Sequence, residues 1–167
     1  MPGKFKDEGV RNPKTTKPGR IRVGRSRVGR GVFAERWFAQ YEVIGEVHGE
    51  VIEDREHESR YCMDLGDHRS LEPITPFRYM NHSCEPNCEL HWFDVEGVRG
   101  GRQRRLYVIA IARIADGSEL TIDYGWPAAW AIPCRCGAED CRRWIVAAAE
   151  LDRVETSTER ASTNGDG

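Results

Sequence analysis

Between Arg78 and Cys88 the chain reads Arg-Tyr-Met-Asn-His-Ser-Cys-Glu-Pro-Asn-Cys. The run has neither a helical nor a strand period. Pro86 removes a backbone donor, and Asn81, Ser83 and Asn87 favour turns. An amide, an imidazole and two thiols fall within a few residues, a density of polar groups that is costly to bury unless something uses it. A second concentration of chemistry is Cys134-Arg-Cys-Gly-Ala-Glu-Asp-Cys141, with Arg135, Arg142 and Arg143 placed to stabilise thiolates. A closed structural zinc site needs four ligands. Three local cysteines therefore require a distant fourth, and Cys84, Cys88 and Cys62 are the candidates. The third stretch is Glu119-Leu-Thr-Ile-Asp-Tyr-Gly125, in which Tyr124 offers a hydrogen-bonding hydroxyl.

Taken in order, Asn-His-Ser-Cys-x-Pro-Asn, Glu-Leu-Thr-x-Asp-Tyr and Cys-x-Cys-x4-Cys resemble the SET-domain family of protein-lysine N-methyltransferases, in a short single-domain form with a post-SET zinc-binding segment. The resemblance runs from about Ile21 to Ile145. It implies transfer of a methyl group from S-adenosylmethionine to the ε-amine of a protein lysine, on a histone or another basic protein. It gives Tyr124 the place of the catalytic tyrosine, and Asn81 and His82 that of the pair that contacts the cofactor. Val28-Gly-Arg-Gly-Val-Phe-Ala34 is similar to the family's Gly-x-Gly-x-Phe, which implies cofactor contacts at Arg30, Gly31 and Val32. It selects Cys84 as the fourth ligand beside Cys134, Cys136 and Cys141. Tyr61 and Ile122 take places at the lysine channel, where an aliphatic Ile122 leaves room for more than one methyl group. The competing reading is a zinc-stabilised SET-like binding module without catalytic activity.

The elements that must position these groups read as β-structure. Tyr41–Ile52 has period two, with Val43, Val47 and Val51 on one face, and is interrupted by Gly45 and Gly49. Glu46 and His48 read as strand-edge groups rather than an acid–base pair. Tyr61–Leu65 suggests another strand, and Arg105–Ile114, apolar on both faces, a central one. Gly66–Pro76 reads as a loop. Trp144–Val154, rich in helix formers, is the one helix candidate. Short strands and frequent glycine turns predict a mainly β fold. The resemblance makes this a SET fold of several small sheets with a knot-like C-terminal arrangement.

These readings divide the chain into a disordered basic arm (1–19), a SET domain (20–132), a post-SET zinc segment (133–149) and a flexible polar tail (150–167). From Lys4 to Arg30 there are ten Lys or Arg against Asp7 and Glu8, so the arm could make weak nucleic-acid contacts. A net charge of −2 excludes bulk electrostatic binding to nucleic acid. No apolar run approaches a membrane span. The opening Met-Pro-Gly-Lys-Phe-Lys lacks an apolar signal region. An intracellular address is expected, cytoplasmic first and nuclear or chromatin-associated second, with six cysteines kept as thiols or metal ligands.

Overall fold

The computed structural model describes residues 20–54, 59, 61–66, 69–96 and 101–154. The basic arm, residues 55–58, 60, 67–68 and 97–100, and the tail from residue 155 lie outside the described residues.

Twelve short strands form four sheets. The first sheet is built on a hairpin of β1 (Ile21–Ser26) and β2 (Gly29–Ala34). Its two-residue turn is closed by Gly29 at φ 125°, a conformation that L side chains resist. Val32 and Ala34 alternate into the core. β2 pairs antiparallel with β10 (Glu119–Ile122), and β10 pairs parallel with the two-residue β7 (Asn81–His82), giving the order β1-β2-β10-β7.

The second sheet, β3-β9-β8, joins β3 (Val43–Glu46), β9 (Arg102–Ala110) and β8 (Cys88–Glu96). β9 is the central strand, as its two-faced apolar run predicts, and residues 106–110 are all buried. Leu106 and Val108 face the main core with Val32, Leu120 and Ile114, whereas Tyr107 and Ile109 pack with Phe93 and Val95 in a satellite cluster. A bulge between Val43 and Gly45 breaks the alternation expected along β3. Ile44 and Val47 both enter the main core, Val43 packs on the satellite, and Val51 is exposed. Glu46 is buried, accepting from Tyr107 Oη and from Arg105, with His48 3.6 Å away.

The third sheet has the order β4-β6-β5: β4 (Gly49–Ile52), β6 (Arg69–Pro73) and β5 (Met63–Gly66). β6 lies within the stretch expected to be a loop. Its Leu71 and Pro73 alternate inward, and Pro73 ends the strand, where its missing N–H costs least. Gly49 is required here, since a Cβ would stand 2.2 Å from the Glu72 carbonyl oxygen. β11 (Ile132–Pro133) and β12 (Trp144–Ile145) make the last, two-stranded sheet. Trp144 and Ile145 are therefore extended, and helical structure begins only at the 3-10 turn Ala148–Glu150, continuing through 151–154. Trp144 and Ile145, aromatic and β-branched, suit a strand across the cysteine loop, and the helix formers of this stretch come only after them. Among the described residues, no helix is long and apolar enough to cross a membrane.

Leu120 is fully buried where β10 meets the main core. Leu120→Ala is expected to cost about 2–5 kcal/mol, read as a lower urea midpoint with unchanged slope.

Candidate active site and metal centre

Two asparagines fix the register at the centre of the first sheet. Asn81 donates to the Arg30 carbonyl (2.8 Å) and to Glu119 Oε1 (2.6 Å). Asn87 donates to the Glu119 carbonyl and accepts from Thr121 N–H, so its amide works like an extra piece of strand against β10. Glu119 also accepts from Ser26 Oγ at 2.8 Å. Its carboxylate lies over Gly31, where a Cβ would meet Oε1 at 2.3 Å. Glycine at 31 thus lets the carboxylate tie β1, β2 and β7 together.

His82 occupies the next position, its side chain 2% exposed. Nδ1 lies 3.2 Å from the Tyr124 amide and accepts its proton, which leaves the hydrogen on Nε2, 3.4 Å from Cys84 Sγ. Burial pulls its pKa below the ordinary histidine value; the Arg142 charge acts in the same direction and Asp123 opposes. The ring is therefore neutral, and Asp123, 3.4 Å from Nδ1, is a polar neighbour rather than an ion-pair partner. With both nitrogens engaged, His82 has only main-chain atoms to offer a ligand. β7 forms the edge of its sheet, so one side of its backbone lies outside the ladder.

Tyr124 follows β10. Its hydroxyl donates to the Met80 carbonyl at 2.8 Å. Its ring lies 5.4 Å from His82 and 5.2 Å from Trp126. Burial, then the neighbouring Tyr61 and Glu119, push its pKa up to about 12, so the phenol keeps its proton. One cavity is walled by Tyr61, Ile122, Tyr124, Trp126, Phe77 and Leu90. The three residues expected at a lysine channel thus meet around a single space. Arg30, Gly31 and Val32 lie along β2 instead, Val32 wholly buried. Arg30 stacks 4.0 Å from the Tyr79 ring centre and donates to its hydroxyl.

Several contributors carried no sequence signal that had been read as functional. Trp126 is two residues after Tyr124, and that spacing could have marked it. Leu90 comes from β8, an element not anticipated. Arg78 lies 3.9 Å from the Tyr61 ring centre and pairs with Glu72, which also accepts from Cys62 Sγ at 3.1 Å. Burial would raise the Glu72 pKa, but hydrogen bonds from Ser59, Cys62 and Arg78, with the Arg78 charge, hold it at about 2.

The sulfurs of Cys84, Cys134, Cys136 and Cys141 all lie within 4.8 Å of one another. Three of the separations are 3.8, 3.9 and 3.7 Å. Tetrahedral zinc with bonds of about 2.3 Å demands sulfurs roughly 3.8 Å apart, and a disulfide only about 2.05 Å. The donor set and its spacing fit zinc. Cys88 is wholly buried in the core and donates to Asn87 Oδ1, and Cys62 bonds Glu72, so neither belongs to the cluster. Arg142 couples the cluster to the cavity: its amide points to Cys84 Sγ (3.4 Å) and its guanidinium donates to Asp123 (2.7 Å), next to Tyr124.

The family model described as SET domain matches residues 29–125. Histone-lysine N-methyltransferase trr of Drosophila melanogaster is 32% identical over 132 residues, covering 69% of this chain and 5% of that protein. Human histone-lysine N-methyltransferase 2B is 45% identical over 71 residues, 41% of this chain and 2% of that protein. The chain thus spans only a small fraction of the curated relatives it matches. Among solved structures, KRYPTONITE in complex with mCHH DNA, H3(1-15) peptide and SAH superposes with a TM-score of 0.62 at 24% identity, covering 75% of this chain and 29% of that one. At that identity the likeness speaks for the fold.

Two outcomes are expected. Elemental analysis of purified protein should find one zinc per chain, and a strong chelator or Cys141→Ser should lower the thermal midpoint; metal-free protein indifferent to chelation would contradict the assignment. The depressed Glu72 pKa stabilises the fold fully above its ordinary value of 4.5, and that contribution drains away as pH falls toward about 2. Glu72→Gln should therefore flatten the acid limb of the stability profile over that window, measured by urea unfolding at stepped pH.

Proposed function

This chain belongs to the SET-domain family, and from that membership we propose that it transfers methyl groups from S-adenosylmethionine to the ε-amine of a lysine in a protein. The observation that carries this reading is the convergence of Tyr61, Ile122, Tyr124 and Trp126 on one cavity, with Tyr124 tied through its amide to buried His82. The relatives named histone-lysine N-methyltransferases support it. So does the H3 peptide and SAH held by KRYPTONITE. A basic protein associated with chromatin or its equivalent is the substrate class these names favour.

S-adenosylmethionine, when bound, supplies a methyl group already activated by a sulfonium. Arg30 and Gly31 on β2 with Val32, and the main chain of Asn81 and His82 at the edge of the sheet, would hold it. Cys84, Cys134, Cys136 and Cys141 would hold a structural zinc, which would fix residues 134–145 against this edge.

The protein must present lysine as a free amine. With a reference pKa of about 10.4, discharging it near pH 7 costs roughly 4–5 kcal/mol. The cavity combines apolar Ile122, Leu90, Phe77 and Trp126 with Arg78 and Asp123; its apolar walls and the Arg78 charge disfavour ammonium, while Asp123 is paired with Arg142. Tyr124 adds a hydrogen-bonding oxygen without a charge, because its phenol stays protonated. The bond to the Met80 carbonyl sets the direction of that oxygen. Aliphatic Ile122 carries no hydroxyl to anchor a water beside the amine, so successive methylations have room.

Tyr124→Phe is expected to lower kcat about 10²-fold while leaving the circular dichroism and zinc content unchanged, measured with labelled S-adenosylmethionine and a basic protein substrate. Unaltered turnover would remove Tyr124 from the reaction. Zinc binding without any transfer by the parent protein would favour the binding-module reading.

A further inference from the structure

The chain contains four lysines, Lys4, Lys6, Lys14 and Lys17, and none between residues 20 and 167, where twenty arginines lie. The Lys and Arg side chains of residues 20–167 are thus all guanidinium groups, which stay charged in proteins and offer no nucleophilic amine. Every lysine acceptor in the chain falls within residues 1–19, directly before β1.

Charge favours a meeting between this segment and the cavity. Residues 1–19 carry five Lys or Arg against two Asp or Glu. Among the described residues of 49–73, which supply β4, β5 and β6, Glu50, Glu53, Asp54, Asp64 and Glu72 stand against Arg69 alone. That sheet borders the cavity directly, through Cys62 and Met63.

Reach decides which lysine can arrive. β1 and β10 both run antiparallel to β2, with Ile21 opposite Ala34 and Leu120 opposite Val32. Arg20 is therefore at one end of this sheet and Tyr124 beyond the other. Six to eight residues of strand at about 3.3 Å each put roughly 20–25 Å between them. Lys17, three residues before Arg20, spans about 10 Å at most and falls short. Lys14 covers about 20 Å only if fully straight, whereas Lys6 and Lys4 command about 45–55 Å and can enter at any angle. The entropic cost of the longer loop rises only slowly with length.

We propose that residues 1–19 are a substrate of the chain's own cavity, with Lys4 and Lys6 methylated in cis. The proposal rests on the methyltransferase reading above. The lysine nitrogen lone pair forms the new N–C bond as the C–S bond of S-adenosylmethionine breaks. The electron pair of that bond remains on sulfur as a thioether, and the proton of the methylated ammonium passes to solvent. Tethering gives the acceptor a millimolar-range effective concentration, so the reaction needs no second molecule.

The test is incubation of the full chain with labelled S-adenosylmethionine, alone and with the H3(1-15) peptide, followed by peptide mapping. Label is expected at Lys4 and Lys6, little at Lys14 and none at Lys17, at a rate per molecule that dilution leaves unchanged. Lys4→Arg combined with Lys6→Arg should reduce self-labelling at least about tenfold and leave transfer to the peptide intact. Peptide methylation with an unlabelled chain would overturn the proposal while the enzymatic reading stands. No transfer to either acceptor would remove the enzymatic reading itself. Labelling of a Tyr124→Phe chain by an active one, at a rate that rises with concentration, would overturn the cis route.

Discussion

His82 bridges two parts of the chain that must stay in register. One ring nitrogen accepts the amide proton of Tyr124, 42 residues later, and the other faces the sulfur of Cys84. A neutral imidazole in a fixed tautomer meets both demands, and burial keeps it neutral. The consequences run outward. The backbone of Tyr124 is set relative to β7, its hydroxyl is set by the Met80 carbonyl, and the cysteine cluster is set against the same short strand. Charging the ring would put a second proton where the Tyr124 amide already donates, and the arrangement has no room for it.

Around this tie, polar groups are spent on register rather than on solvent. Asn81, Asn87, Ser26 and Glu119 converge on the pairing of β2, β10 and β7. Two- and four-residue strands bury too little apolar surface to define their own alignment. Side-chain amides and one carboxylate supply the missing specification. Tyr107, Glu46 and Arg105 do the same on the outer face of the second sheet.

The chemistry was legible in the sequence because its residues are concentrated in three short motifs, each with unusual composition. Those motifs carried Tyr124, Asn81, His82 and the four clustered cysteines, and the apolar run of β9 announced itself by its length. What escaped was set by distant partners. β6 exists because Leu71 meets Val51 and Met63, contacts that no local pattern in a polar stretch reveals. The bulge at Gly45 shifts Ile44 and Val47 into one core, which strict period two cannot express. Trp144 and Ile145 stand at the head of a stretch rich in helix formers but are themselves strand formers, and they pair with Ile132 and Pro133 across the cysteine loop. Arg78, which lines the cavity, is held there by stacking on Tyr61 and pairing with Glu72.

The sulfur spacing has a further implication for where such a protein can persist. Atoms already 3.7–3.9 Å apart need to move little to oxidise in pairs. A disulfide there would contract one edge of the tetrahedron and evict the metal, and the returning segment would lose its hold on the Asn-His strand. With zinc held there, the grip on this segment would depend on reducing surroundings, independent of anything the cavity does.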